Sequence, residues 1–598
     1  MDSVLLSRRD IDFLLFEWLG VDELTKRERF SEHSRETFAG LLDLCEDLAT
    51  RYFAPHNKKN DAREPTFDGQ RVTMNPEVKE ALDAFAKADL LALSMDHSLG
   101  GGQLPMAVAG AGLAWFHAAN VGTAAYVLLS VANANLLAHY GTPEQIEMFV
   151  KPTLAGRFTG TMCLSEPQAG SSLADITTRA EPQPDGTYRL FGSKMWISGG
   201  DHELAENIVH LVLAKIAGAP AGTRGISLFI VPKFLVEDDG SVGERNDVTL
   251  AGLNHKMGYR GTVNTALNFG EGVHQPVGQP GAVGYLIGEP HRGLAYMFHM
   301  MNEARLGVGL GAIALGYTGY LKSLQYARER PQGRPITAKD PAAPQIPIIE
   351  HADVKRMLLA QKSYVEGALA LALYCGRLVD VQACPESTQE AESARRLLDI
   401  LTPVAKSWPS QWCLEANSLA IQVHGGYGYT REYDVEQHYR DNRLNPIHEG
   451  THGIQSLDLL GRKVIADNGA NVAALGAEVA STVARARAIG GGPAELADHL
   501  DATWQRLVSV TASMFASGDV DAALANSAVY LEAFGHIVIA WIWLEQFLAA
   551  EAKQGGFYDG KRQAARYFFR YELPKTAAQL DLLATLDRTT LEMKDGWF

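Results

Sequence analysis

Thr161-Met162-Cys163-Leu164-Ser165-Glu166-Pro167-Gln168-Ala169-Gly170-Ser171-Ser172 is where the chain changes texture. Before it, from Asp10 to about Phe158, apolar residues recur at three- and four-residue steps. Phe38, Leu41, Leu42, Cys45 and Leu48 do so first, then Leu82, Phe85, Ala86, Leu90 and Leu91. That is the period of helices. After it come short β-rich runs at Tyr188 to Phe191, Ile208 to Leu213, Ile226 to Val231 and Thr265 to Phe269, punctuated by Asp185-Gly186, Gly199-Gly200 and Ala219-Pro220. Such runs are strands joined by turns. They lack the strand–helix alternation of a doubly wound sheet. The stretch therefore opens a small antiparallel β domain over 159–285, set in a mainly α-helical chain.

Outward toward the N-terminus, 1–158 is a helical domain. Gly100-Gly101-Gly102 breaks it before a helix starting near Met106, and the nearly apolar run from Val121 to Ala138 carries Asn133 and Asn135. Such a run is expected in the interior of a bundle. Tyr140-Gly141-Thr142-Pro143 closes that helix and opens the next, with Thr142 as cap and proline in the first turn. Toward the C-terminus, helices return at Gly293 and run through Met300, Arg305, Ile313 and Tyr320 to Arg330. A loop with Pro331, Pro335, Pro341, Pro344 and Pro347 is too proline-dense to be helical. Helices resume over 350–378 and 390–423 and stop at Gly425-Gly426. This second helical domain covers 286–465, and 466–598 reads as an appended helical bundle.

With 598 residues the chain exceeds one core, and roughly three to five compact units are expected. Composition is that of an ordinary soluble protein, 46% hydrophobic and 21% charged. A net charge of −16 argues against a general polyanion binder. The five cysteines are scattered and form no C-x-x-C pair, which fits reduced thiols in a cytosol and no structural metal. Residues 1–12 offer no signal-peptide pattern. No window is expected to reach a membrane span. The nearest candidate, Ile537 to Leu544, is bounded by His536 and Glu545 and reads as a buried helix, with a subunit or peripheral membrane contact as the second reading.

Several stretches bear on chemistry. The 161–172 loop, rich in hydroxyls and glycine-opened backbone, suits a polar ring edge or a diphosphate, or is an ordinary turn. Trp196 and Ser198, in Lys194-Met195-Trp196-Ile197-Ser198-Gly199-Gly200, offer a flat aromatic beside a hydroxyl, although a lone strand tryptophan is more often core. Gln422 and Gly425-Gly426 end a helix. Asn302 and Arg305 share one helix face with Glu303 between them, and a solvated charged face is the plain reading. Gly307-Val308-Gly309-Leu310-Gly311 lies inside a helical pattern, as close helix packing requires. Finally, Asn445-Pro446-Ile447-His448-Glu449-Gly450-Thr451-His452-Gly453-Ile454-Gln455 puts a carboxylate before a Gly-Thr pair at a loop-to-helix junction.

In order and spacing these stretches resemble the acyl-CoA dehydrogenase family: the MCLSEPQAGSS loop, KMWISGG, HKMGYRGT at 255–262, RERPQGR at 328–334, QVHGGYGYT at 422–430, and HEGTHGIQ. The resemblance covers roughly residues 40–465. The added bundle is similar to that of the larger bacterial members, including those like 3-methylmercaptopropionyl-CoA dehydrogenase. The resemblance implies an FAD enzyme that dehydrogenates a saturated acyl-CoA to the trans-2-enoyl-CoA, as in fatty acid β-oxidation. It implies Met162, Leu164, Ser165, Trp196 and Ser198 about the flavin ring, and Arg330, Gln332, Gln422, Gly425 and Gly426 on the FAD of a neighbouring subunit. Thr451 and Gly453 border the cofactor. Ser171, Asn302, Arg305 and Gly450 serve the substrate, although Asp is commoner than Asn at position 302. Glu449 is the implied base, with a hydride passing to the flavin and electrons leaving to an electron-transfer flavoprotein. A homodimer in the bacterial cytoplasm is expected. His448 departs from the aromatic residue usual before the base, and His452 is a second departure. Some members place the base on the helix carrying Glu303, but Glu303 is one position off, where Ala304 stands. Rival readings are an oxidase using oxygen, a non-catalytic nucleic-acid-binding relative and a scaffold.

Overall fold

The computed structural model describes residues 3–340 and 342–598, so that Pro341 of the proline-rich loop and the first two residues lie outside the described residues. The chain divides into two compact units. One holds Leu41–Leu104 with Trp115–Gly307, the other Met1–Gly40 with Pro105–Ala114 and Val308–Phe598.

The first unit is built on eight strands: β1 (Phe158–Cys163), β2 (Arg179–Pro182), β3 (Tyr188–Ser198), β4 (Asn207–Ile216), β5 (Ile226–Pro232), β6 (Val248–Leu253), β7 (Asn264–Phe269) and β8 (Ala282–Leu286). β2 pairs with both β3 and β4, while β3, β8, β5 and β4 pair in succession, so five strands close a ring. Closure removes open edges. β7 and β6 extend the sheet beyond β3. The expected all-antiparallel pairing is corrected at two places, since β1 and β2 each run parallel to β4. Parallel neighbours need a long crossover, and the chain between β1 and β4 (164–206) supplies one.

β4 explains why alternation is weak here. Val209, Leu211 and Leu213 join a core with Leu136, Leu137, Phe149 and Val150, while Val212 and Ala214 join Leu190, Phe229 and Leu267 on the other face. A strand buried on both faces reads as a continuous apolar run. Of the helices, α1 (Pro76–Lys87) begins with proline, and α2 (Met106–Tyr140) breaks at Asn120, where φ is −163°. Asn120 repairs the break with its side chain, accepting from Thr123 N–H and donating to the Phe53 carbonyl. Asn133, buried in the apolar part of α2, donates to the carbonyls of Thr161 and Val209 and so pegs β1 in place. α2 ends at Tyr140, and Thr142 forms a capping box with Gln145. α3 (Gly293–Glu329) is one long helix.

The second unit is helical: α4 (Ala352–Ala383), α5 (Thr388–His424), α6 (His452–Asp458), α7 (Ala470–Ile489), α8 (Gly491–Ala516), α9 (Ser527–Glu551) and α10 (Gly556–Tyr567). The glycines of α3 are packing residues. A Cβ on Gly309 would lie 2.1 Å from the Ala405 carbonyl oxygen, and one on Gly316 would lie 2.7 Å from Cys413 Cβ. α5 tolerates Pro403 and Pro409 within its length.

The absence of a span-length apolar window is also corrected. α2 and α9 are both long and apolar enough to cross a membrane, and 67% and 83% of their apolar windows are buried within the fold. In α9 the flanking polar residues find partners: His536 Nδ1 donates to the Glu532 carbonyl, and Glu545 accepts from Trp18 Nε1. Every residue from Ile537 to Leu544 is at most 2% exposed. The indoles are satisfied as well, Trp543 donating to the Ser363 carbonyl and Trp541 to Thr482 Oγ1. Burying each large side chain of this run contributes roughly 1.5–3 kcal/mol. Limited proteolysis of the native protein should yield no cut between 537 and 544, and mass spectrometry of the fragments checks it.

Candidate active site

In the first unit the loop after β1 is held from beneath by a buried ion pair. Lys194 Nζ donates to the Leu164 carbonyl at 2.9 Å and to Glu166 at 3.0 Å. Glu166 also accepts from the backbone N–H and hydroxyl of both Thr177 and Thr178. Burial alone would raise the Glu166 carboxyl, but Lys194 and the threonine donors overcome it and hold it down at about 2. Met195 N–H donates to the Ser165 carbonyl at 3.0 Å. One cluster therefore fixes Met162, Leu164 and Ser165 against the segment carrying Trp196 and Ser198. Met162 and Leu164 are buried, Ser165 and Ser198 half-buried, and Ser171 exposed.

The core reading of Trp196 is corrected. Trp196 is 62% exposed, on a backbone at φ +65°. A non-glycine residue in the left-handed region costs about 1–3 kcal/mol and persists where the surroundings impose it. A flat aromatic held out this way fits a planar cofactor.

The solvated-face reading of α3 is corrected too. Arg305 is only 5% exposed and its Nη1 donates to Asn302 Oδ1 at 3.3 Å. Glu303 turns to α2, where Asn135 Nδ2 donates to it at 2.7 Å. Burial raises the Glu303 carboxyl to about 7, the Asn135 bond opposing.

In the second unit, Glu449 is half-buried at φ +52°, and Gly450 follows at φ +90°. Position 450 must be glycine, because a Cβ there would also lie 2.5 Å from Gln455 Nε2. Gln455 Nε2 donates to the Glu449 carbonyl at 3.0 Å. Lys406 Nζ, fully buried on α5, donates to the carbonyls of Asn445 at 2.8 Å and Gly450 at 2.7 Å, clamping the turn on both sides of Glu449. Thr451 caps α6 by accepting from Ile454 N–H. His452 Nδ1 pairs with Ser407 Oγ at 2.6 Å. Burial, with Lys406 nearby, lowers His452 and pushes His448 down to about 3, so both rings are neutral at physiological pH.

Elsewhere in this unit the Arg330 guanidinium lies 5.6 Å over the Tyr427 ring, beside Gly425 and Gly426. Gln332, Gln422 and Gly453 are exposed. Gly425 has φ +60°, but Gly426 does not, and a Cβ on Gly426 would meet nothing within 4 Å. Packing within the chain does not require glycine at 426, and the backbone there is open to close approach. Each unit by itself offers groups that suit part of FAD: an exposed aromatic at Trp196 in the first, and the Arg330 guanidinium near open glycine backbone in the second.

Lys406, Gln455 and the Lys194–Glu166 pair are site-building residues that pattern reading did not single out, and Asn135 was read only as an interior polar residue. The available signal was a lone lysine in the apolar Val404-Ala405-Lys406-Ser407-Trp408 run of a helix, since lysine is almost never fully buried unless paired.

Comparison with known proteins places four adjoining family matches on the chain. They are "Acyl-CoA dehydrogenase, N-terminal domain" over 36–157, "middle domain" over 161–271, "C-terminal domain" over 291–465, and "Acetyl-CoA dehydrogenase C-terminal like" over 475–594. The chain is 34% identical to a 3-methylmercaptopropionyl-CoA dehydrogenase of Ruegeria pomeroyi, covering 96% of each chain. It is also 34% identical to the broad-specificity linear acyl-CoA dehydrogenase FadE5 of Mycobacterium tuberculosis, covering 99% of each. An acyl-CoA dehydrogenase of Bacillus anthracis complexed with FAD shares the fold at TM-score 0.73 and 20% identity, over 98% of this chain and 92% of that one.

Proposed function

The chain belongs to the acyl-CoA dehydrogenase family and is an oxidoreductase, and on that premise we propose that it is an FAD enzyme that converts a saturated acyl-CoA to its trans-2-enoyl-CoA with Glu449 as base. The observation that carries this reading is the backbone at 445–451, where Lys406 and Gln455 hold a carboxylate in a left-handed conformation that an unconstrained glutamate avoids. In the proposed reaction Glu449 takes the α-proton. Donors on the thioester carbonyl, the Glu449 N–H among them, stabilise the developing enolate. Bound FAD supplies the acceptor for the β-hydride.

Met162, Leu164, Ser165, Trp196 and Ser198 hold the ring in this reading, Arg330, Gln332, Gln422, Gly425 and Gly426 reach the FAD of a neighbouring subunit, and Thr451 and Gly453 border the cofactor. Ser171, Asn302, Arg305 and Gly450 serve the substrate. Electrons pass to an electron-transfer flavoprotein, and the enzyme works as a cytoplasmic homodimer; these parts follow the family resemblance.

The purified protein should be yellow, and a panel of short, long, branched and thioether-bearing acyl-CoAs, mixed anaerobically, should bleach the flavin band for the accepted class. A colourless protein that takes up no FAD on reconstitution overturns the reading. Stoichiometric hydrogen peroxide during aerobic turnover would replace the flavoprotein acceptor by oxygen.

A further inference from the structure

Behind the Glu449 turn lies a row of three asparagines, Asn417 on α5, Asn442 and Asn445, each fully buried. Their amide orientations are fixed by backbone carbonyls, which only accept hydrogen bonds. Asn417 Nδ2 donates to the Leu315 carbonyl at 2.9 Å, so its Oδ1 is the atom presented to Asn442. Asn442 Nδ2 donates to that Oδ1 at 2.7 Å and to the Ala312 carbonyl at 3.1 Å, which leaves Asn442 Oδ1 to accept from Asn445 Nδ2 at 2.9 Å. Asn445 therefore presents its own Oδ1, a pure acceptor, to His448 Nε2 at 2.9 Å. The proton in that contact can come only from the imidazole. A one-way relay anchored on α3 thus ends at the residue before Glu449.

We propose that this relay keeps His448 protonated at Nε2, that the Lys406 ammonium keeps the ring from taking a second proton, and that the turn on which Glu449 stands is thereby fixed, making His448 a positioning residue for the base. The inference rests on Glu449 being the base. A second support comes from α5, where the Lys406 ammonium donates to the carbonyls of Asn445 and Gly450, on either side of His448. A cation so placed opposes a second positive charge on the ring. Of the charged and titratable groups around this turn, Lys406 brackets it, Glu449 follows His448 in sequence, and His452 faces Ser407 of α5. An imidazolium beside Glu449 would favour its ionised form and weaken it as a base; a neutral imidazole leaves that basicity intact. The relay also excludes slack, since misplacing a reacting group by about 1 Å can cost on the order of 10² in rate.

The test uses the holoenzyme labelled with ¹⁵N in its histidine rings, the His448 signals being assigned by their loss in His448→Gln. The expected result is an Nε2-protonated ring that does not titrate within roughly a unit either side of 6.5, where an ordinary histidine changes charge. Titration in that window, or an Nδ1-protonated ring, overturns the proposal. A second arm compares His448→Gln, which keeps an N–H donor, with His448→Leu, which has none. The glutamine variant should keep kcat within about threefold and the leucine variant should lose on the order of 10², with FAD content and acyl-CoA binding unchanged in both. Equal losses in the two variants also overturn it. Failure of the underlying reading is separable, because it shows as normal turnover by Glu449→Gln whatever the ring spectrum reports.

Discussion

Glu449→Gln should give a yellow protein that binds acyl-CoA and does not bleach. Glutamine nearly preserves volume, and the contacts that shape the turn use backbone atoms of position 449 and its neighbours. Gln455 holds the carbonyl of 449, and Lys406 holds those of 445 and 450. The variant therefore keeps these backbone contacts and loses the proton-accepting oxygen. Removal of a general base costs on the order of 10²–10⁴ in rate, and more where no other group substitutes. Anaerobic stopped-flow measurement of flavin bleaching reads this directly, while the small spectral shift on ligand addition reports retained binding. Glu303→Gln is the matched control. Burial sets the Glu303 carboxyl near 7, in the range useful to a base, so its chemistry alone does not disqualify it. What separates the two is placement: Glu303 is engaged by Asn135 on α2, one residue from the alternative base position of the family. Glu303→Gln should bleach within roughly tenfold of the parent rate. Normal bleaching by Glu449→Gln together with a slow Glu303→Gln would move the base to α3.

The fold was legible wherever one physical signal dominated. The helical period marked α2, α4 and α5, and Thr142-Pro143 announced a cap that the structure contains. The runs at 188–191 and 226–231 stood out by β-branched and aromatic residues between turn signals, and they lie within β3 and β5. β1 and β2 did not. Phe-Thr-Gly-Thr-Met-Cys and Arg-Ala-Glu-Pro have no alternation, because their burial depends on neighbours distant in sequence. The same distinction runs through the site. Glu449-Gly450-Thr451 was visible as chemistry on a capped turn, whereas the exposure of Trp196 was not, since nothing local distinguishes an indole facing solvent from one in a core. The burial of Arg305 was equally hidden. Charges are read from a sequence as solvated until a fold supplies partners, and Asn302 and the close packing of α3 are such partners.

A charge whose partners all come from distant segments also sets the largest expected effect on stability. Lys561 on α10 is fully buried and contacts the carboxylates of Asp10 and, at 2.9 Å, Glu366 on α4. Its ammonium also donates to Gln546 and lies 5.2 Å from the Phe13 ring and 5.4 Å from that of Trp543. Tyr317 Oη donates to Asp10 at 2.9 Å. Lys561 thus joins the N-terminal segment, α4 and the C-terminal helices of one unit. Lys561→Met keeps much of the stem's volume and removes the cation, leaving two carboxylates in a cavity built around it. Breaking a buried ion pair from one side costs about 3–5 kcal/mol, and that is the loss expected from denaturant unfolding. The pH dependence has a definite sign. In the parent, burial raises Glu366, but Lys362 and Lys561 more than offset it and hold its carboxyl below the usual range, which stabilises the fold above the unfolded-state pKa. Burial raises the Asp10 carboxyl even in the parent, with Lys561 opposing; without Lys561 it rises further, and Glu366 rises above its unfolded value. Their contribution is then favourable only in acid and is lost as the pH rises through the new folded values. The deficit of Lys561→Met should therefore widen between about pH 5 and about pH 8. A deficit constant across that interval would mean that Lys362 alone neutralises both carboxylates, and that the cation at 561 acts by packing.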